Sequence, residues 1–438
     1  MYIRRKIDFE LEKWKEDIKR KPLLIRGARQ VGKTKTIREF GKKFENYIEI
    51  NFEENPRLKA LFSENLTPQY ITENISAIFK ISIIPGKTLI FFDEIQECPK
   101  AIASLRFFYE KMPELHIAAA GSLLEFALSE IPTFGVGRIR SMFMYPLSLS
   151  EFLRGAGEDK LLERVYESSI KKPMNEVLHH KLIELTKKFI CLGGMPEVVS
   201  TYIETGDLNK SQQLLDDLII SIQADFAKYK KKSPVSRIKE VFQSVVSQAG
   251  QKFVYSKACT QAKHSLVKES LQLLITAGLV IPVTHSSANG IPLGAEANPS
   301  KQKMLVYDTG IFQRILGLDL SEFLLKDDFE TINKGNVAEQ FAGLEFMKAE
   351  SCYRNPSLYY WQREARNSNA EVDYVISLYH EIVPVEVKAG TKGAMKSMHI
   401  FLEEKKLNRG IRISNENFSE YEKIDVYPLY AVENIIGR

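Results

Sequence analysis

The sequence predicts an α/β protein of several domains, led by a parallel-sheet sandwich and ending in a second, smaller α/β unit. Three observations point there: uninterrupted apolar runs alternating with helical patterns up to about residue 150, a glycine-bracketed turn directly after the first run, and a return to strand-like segments from residue 358. The runs are Leu23–Gly27, Tyr47–Phe52, Thr88–Glu94, His116–Ser122 and Ser141–Leu147. Continuous apolarity of this kind suits strands buried on both faces, which in turn suits parallel pairing with helical crossovers.

At 438 residues the chain exceeds one ordinary hydrophobic core, and the pattern divides it into four stretches. Residues 1–154 form the sandwich. Residues 155–234 are mostly helical, a lid region broken at "LGGMPE" (192–197). Residues 235–318 show three short amphipathic segments, then strands at 278–285 and 304–308 around a polar loop at 286–303, the pattern of a winged helix-turn-helix. Residues 319–438 open with a helix around Asn336–Lys348, followed by strands at 358–362, 371–377 and 383–389.

Composition excludes the special classes. With 44% hydrophobic and 27% charged residues there is enough apolar material for packed cores. The net charge of +5 fits contact with a polyanion and equally fits a plain cytosolic enzyme. The first residues hold no apolar core of signal-peptide length and no stretch approaches a spanning helix, so a cytoplasmic location without membrane insertion is expected. Cys98, Cys191, Cys259 and Cys352 lie far apart, which suits reduced structural thiols better than disulfides or zinc.

The turn is Gly27-Ala28-Arg29-Gln30-Val31-Gly32-Lys33-Thr34, the full spacing of a phosphate-binding loop. The glycines let the backbone curl around phosphates, Lys33 brings charge to the β- and γ-phosphates of ATP, and Thr34 stands at the helix start where it can ligate Mg²⁺. In "LIFFDE" four apolar residues bury a strand and deliver Asp93 to its carboxyl end, to hold Mg²⁺ through water, with Glu94 placed to polarise the attacking water. Alone, that segment reads more readily as a strand ending in a solvated acidic turn; beside the loop, the catalytic reading wins. Ser122 is a polar sensor or a helix N-cap. Arg138 and Arg140 precede the fifth strand; Arg138 is the better candidate to reach a nucleotide on a neighbouring subunit of a homo-oligomer, the alternative being a surface ion pair.

Together "GARQVGKT", "LIFFDEIQ", "AAGS", "GRIRSMFMYPLSLSEF" and "CLGGMPEVV" resemble the prokaryotic AAA-superfamily ATPases of the archaeal-ATPase type. The resemblance covers most of the chain in order. It implies an ATP- and Mg²⁺-dependent ATPase core, a winged helix, and a C-terminal domain of uncharacterised function similar to restriction-endonuclease-like PD-(D/E)xK domains. It names no substrate. No second sensor arginine stands out in the helical stretch.

In residues 256–280, Ser256 and Ser265 are candidate helix caps and Gly278 a helix stop. Val267, Leu271, Leu274 and Ile275 form an apolar face, leaving Lys268 and Gln272 toward solvent with Lys257, Gln261, Lys263 and His264 close by. Such a helix suits phosphate and base-edge contacts, with DNA the favoured nucleic acid, although a solvated helix looks the same. Near the C-terminus, "EVDYVISLYHEIVPVEVKAG" puts Asp373 on one strand and Glu386 and Lys388 on one face of the next. With Glu339 on the preceding helix these form a PD-(D/E)xK constellation, in which Asp373 and Glu386 would hold Mg²⁺ or Mn²⁺ and Lys388 would steady the nucleophile. The alternative is a half-exposed hairpin whose charges pair across the sheet. Two readings of the whole follow: an ATPase acting on nucleic acid, or an ATP-driven switch that recruits a protein partner through a catalytically silent C-terminal domain. A small-molecule kinase ranks last, because it leaves half the chain idle.

Overall fold

Strand β3, Thr88–Asp93, shows why the N-terminal region forms a sandwich. All six of its residues are buried, so it needs cover on both faces. In the computed structural model, which describes residues 1–122, 124–130, 137–229, 232–259, 262–317, 334–363, 370–388, 390 and 395–436, it lies inside a five-stranded sheet. The others are β1 (Leu23–Arg26), β2 (Asn46–Asn51), β4 (His116–Ala120) and β5 (Arg140–Phe143), in the order β2-β3-β4-β1-β5. Every pairing is parallel. Helices Lys33–Gly41, Pro68–Phe79 and Pro99–Lys111 connect the strands, and Phe52, Phe62, Phe92 and Phe108 pack with ring centroids 5.5–6.3 Å apart in the core. The fifth strand, read as 141–147, ends at Phe143; Pro146 has no N–H to continue a ladder. This compact unit comprises Met1–Pro146 with Thr276–Gly278 and Ser351–Asn355, so it closes a few residues before the boundary expected at 154.

The second unit holds Leu147–Ile275, Leu279–Glu350 and Pro356–Arg438. Its first part is helical as expected, with Asp159–Glu167, Glu176–Leu192, Pro196–Thr205 and Leu208–Asp225. "LGGMPE" is the break: Gly193 takes φ +74, and buried Asp308 accepts a 2.7 Å hydrogen bond from the Gly194 amide. Next come helices Val235–Ser247, Tyr255–Ala258 and His264–Thr276 and the antiparallel pair β6 (Val280–Ser286) and β7 (Ala297–Val306). The second and third helices begin one residue before Ser256 and Ser265, so these serines lie inside the first turns instead of capping them. Gln261 lies outside the described residues. Strand β7 begins inside the segment read as loop: residues 297–302 are half-buried or exposed, yet the ladder with β6 runs on past a bulge at Thr284/His285.

The described residues reveal a sheet that composition does not announce. Strand β8 (Leu358–Gln362) adds parallel to β6, and β9 (Glu371–Val372) adds to β8, giving the order β7-β6-β8-β9. One sheet thus spans segments placed on either side of the boundary expected at 318. The segment 371–377, read as one strand, breaks at Asp373. Beyond it β10 (Tyr374–Leu378) enters a different sheet with β11 (Glu381–Val387), β12 (Gly410–Ser414), β14 (Ile424–Pro428) and β13 (Ser419–Tyr421), in that order.

Candidate functional site

The turn after β1 is shaped by backbone constraints. Gly27 has φ +146, and a Cβ there would sit 2.1 Å from the Met144 carbonyl oxygen, so no larger residue fits. Gln30 and Gly32 also have positive φ, and Gly32 precedes the helix Lys33–Gly41. Alternating handedness of this kind forms a nest suited to an anion, at the positive end of a helix. Arg5 braces the turn from outside, donating 3.1 Å to the Val31 carbonyl and 2.7 Å to the Tyr145 carbonyl. Sequence reading missed Arg5, since a lone N-terminal arginine carries no spacing signal.

Lys33 is buried, its ammonium donating to the Gly27 carbonyl at 2.9 Å and the Ala28 carbonyl at 2.7 Å. Burial lowers its pKa to about 8, even with Glu94 and Asp93 pulling the other way. The Thr34 hydroxyl donates to both oxygens of Asp93, at 3.2 and 3.1 Å, and the Asn51 amide reaches the same carboxylate at 3.4 Å. Asp93 ends its buried strand with a pKa raised to about 6, by burial first and by Glu94 second. Glu94 sits at φ +46 just beyond, and its Oε2 accepts from Gln96 at 2.6 Å, the Ser122 hydroxyl at 3.1 Å and the Ser122 amide at 3.3 Å. Ser122 therefore engages Glu94. Asn51 and Gln96 escaped the sequence reading; an amide at a strand end beside an acidic motif was the signal available.

A hydroxyl and a carboxylate in contact are hard oxygen donors that fit Mg²⁺ completed by water and phosphate oxygens. Arg138 is exposed and pairs with Glu110, while Arg140 stacks 5.3 Å from the Tyr353 ring. Within one chain, Arg138 takes the surface ion-pair role.

The C-terminal constellation is also brought together. Strands β10 and β11 form the expected hairpin, and Asp373, at the break before β10, accepts 2.8 Å from the Val387 amide. Glu386 and Lys388 form a 2.6 Å ion pair. A residue that sequence reading did not single out joins them. Lys303 of β7, with a side chain 1% exposed, lies 2.9 Å from Glu339, 2.5 Å from Glu371 and 3.9 Å from Asp373. Burial opposes its charge, but Glu339, Asp373 and Glu371 more than offset this, and its pKa stands above the ordinary lysine value. Glu339, by contrast, is pushed up by burial. Among the described residues no group of three or more His, Cys, Asp and Glu side chains is arranged to hold a metal ion. The carboxylates fit an ammonium already in contact with them better than a divalent ion. In the three-helix segment Lys263, His264, Lys268 and Gln272 are exposed over the buried face of Val267, Leu271 and Leu274.

The five-stranded parallel sheet with its phosphate loop is the fold of a P-loop ATPase. Residues 19–153 match the family described as an AAA domain; residues 183–322 and 334–432 match two families described as domains of unknown function, DUF8612 and DUF4143. Among solved structures the chain is similar to a Walker-type ATPase of Pyrococcus abyssi, at 16% identity, 72% of this chain, 96% of that one and a TM-score of 0.45. It is also similar to a STAND signal-transduction ATPase with a tetratricopeptide-repeat sensor from Pyrococcus horikoshii, at 13% identity, 79% of this chain, 47% of that one and a TM-score of 0.27. A third likeness is to Drosophila ORC bound to DNA, at 15% identity, 71% of this chain, 85% of that one and a TM-score of 0.23. No curated protein matches the sequence. No helix among the described residues is long and apolar enough to cross a membrane.

Proposed function

We propose that the chain binds ATP with Mg²⁺ in the Gly27–Thr34 loop, hydrolyses it, and uses the cycle to act on nucleic acid, DNA before RNA, through the three-helix segment and the C-terminal α/β region. The observation that carries the ATPase reading is the contact of the Thr34 hydroxyl with Asp93, 3.1–3.2 Å apart at the end of a buried strand, beside Lys33 in its glycine-shaped turn. Thr34 and Asp93 would hold Mg²⁺, which would supply charge neutralisation for the phosphates. The protein's own part is positional. Loop amides and Lys33 orient the phosphates, and Glu94, aligned by Gln96 and Ser122, accepts a proton from the attacking water. Arg138 supplies charge in trans within a homo-oligomer, leaving its Glu110 partner to do so.

ATP turnover with and without duplex DNA, in wild type and Lys33→Ala, tests this. The reading expects turnover that DNA raises and that Lys33→Ala abolishes; turnover persisting in that variant would overturn it. Arg138→Ala should lower turnover in a concentration-dependent way if the finger acts between subunits. The pairing of the C-terminal carboxylates with Lys303 and Lys388 favours a second reading, in which the C-terminal region is catalytically silent and ATP drives recruitment of a protein partner. Turnover indifferent to DNA, with ATP changing oligomeric state, supports that one.

A further inference from the structure

The carboxylate cluster of the C-terminal constellation has an occupant. Lys303 reaches it from β7, the strand paired antiparallel with β6, with Nζ 2.9 Å from Glu339 Oε1, 2.5 Å from Glu371 Oε1, 3.9 Å from Asp373 Oδ1 and 5.2 Å from the Tyr360 ring centroid. Two acidic side chains thus accept charge-assisted hydrogen bonds from one ammonium, and an aromatic ring flanks it. The second oxygen of Asp373 is taken by the Val387 amide, and Glu386 Oε1 by Lys388. Glu386 Oε2 is buried without a hydrogen-bond partner among the described residues, one lone oxygen where a six-coordinate ion needs converging ligands near 2.1 Å. The lysine is as buried as the core around it, so it is part of the packing and not a surface counter-ion that drifts in.

We propose that Lys303 is the resident cation of this cluster and stands where a divalent metal would otherwise be held, so that the Asp373, Glu386 and Lys388 arrangement keeps its geometry without metal-dependent phosphodiester cleavage. This is independent of the ATPase assignment, because a Mn²⁺ site that depends on Asp373 does not involve Thr34 or Asp93.

The test is a Mn²⁺ titration of the full nucleotide-free chain, read by the loss of the free-ion electron paramagnetic resonance signal. Wild type should show no Asp373-dependent site tighter than about 1 mM, the weak end of protein-held divalent ions. Lys303→Met, which keeps an unbranched apolar stem and removes the ammonium, should gain a site at least tenfold tighter than wild type, and Lys303→Met combined with Glu371→Gln and Asp373→Asn should lose it again. A stoichiometric site in wild type that Asp373→Asn removes overturns the proposal, as does a folded Lys303→Met, verified by circular dichroism, that gains nothing. If that variant does not fold, the wild-type titration with and without Asp373→Asn decides alone. Wild-type nicking of supercoiled plasmid in Mn²⁺ that Lys388→Ala abolishes would equally overturn it.

Discussion

Two side chains at the phosphate loop, Lys33 and Asp93, titrate toward each other's range. Lys33, lowered to about 8 by burial, is charged below that pH and neutral above it; Asp93, raised to about 6, is an anion only above that value. An anionic triphosphate favours the charged lysine, so affinity for ATP should weaken as pH rises through 8, by up to about tenfold per unit once the lysine is neutral in the free protein. Below 6 the carboxylate protonates and loses its hold on a cation, so turnover should fall on the acid side too. Binding of a fluorescent ATP analogue across pH 6–9.5 checks the first limb, and Lys33→Arg, which does not titrate in this window, should flatten it. Glu94 plays a different role. Glu94→Gln should leave ATP affinity within about threefold while lowering kcat by about 10²–10⁴, the range for losing a positioned general base. Gln96→Ala removes only an aligning hydrogen bond and should cost less, with KM unchanged; a Gln96→Ala effect as large as that of Glu94→Gln would mean that the amide touches the reaction directly.

At the scale of elements, the loop depends on β5 as much as on its own glycines. The Met144 amide donates 2.8 Å to the Arg26 carbonyl, and the Met144 carbonyl fills the space beside Gly27. Gly27→Ala should therefore separate two segments remote in sequence. We expect destabilisation of about 1–3 kcal/mol, seen as a lower Tm, together with loss of ATP binding. Retained binding with a lowered Tm would place the phosphate grip elsewhere in the loop. The strands of the parallel sheet, the turn and its lysine, and the acidic strand end were readable because each is written in contiguous residues whose apolar run or spacing has one physical meaning. The hairpin that brings Asp373 to Glu386 and Lys388 was readable from alternation alone. Asn51, Gln96, Arg5 and Lys303 were not, because each acts through partners 2 to 140 residues away and nothing in its own neighbourhood marks it. The β9–β10 break was hidden for a related reason: Asp373 sits in an unbroken strand-like run, and its carboxylate accepts the Val387 amide, a remote partner, where the chain passes from one sheet to another.

For the molecule as a whole, the sheet β7-β6-β8-β9 decides where the chain can be cut. A boundary near 318 looks natural in the sequence, yet β6 pairs in parallel with β8 and antiparallel with β7, and Lys303 carries the positive charge that Glu339, Glu371 and Asp373 need. A fragment of residues 319–438 would keep three carboxylates without their cation and leave β8 with a bare edge on the side of β6. Losing one partner of a buried ion pair costs about 3–5 kcal/mol, and an exposed edge strand invites pairing with other chains. Against the 5–15 kcal/mol that stabilises a typical domain, this is enough to prevent independent folding. A fragment of residues 147–438 retains the sheet, the lysine and the bond from buried Asp308 to the Gly194 amide, and should melt cooperatively. Thermal unfolding followed by circular dichroism, with size-exclusion chromatography of both fragments, separates the cases. A monomeric 319–438 fragment with a sharp transition would show that the C-terminal fold needs neither β6 nor Lys303, and that the lysine's burial is incidental to it.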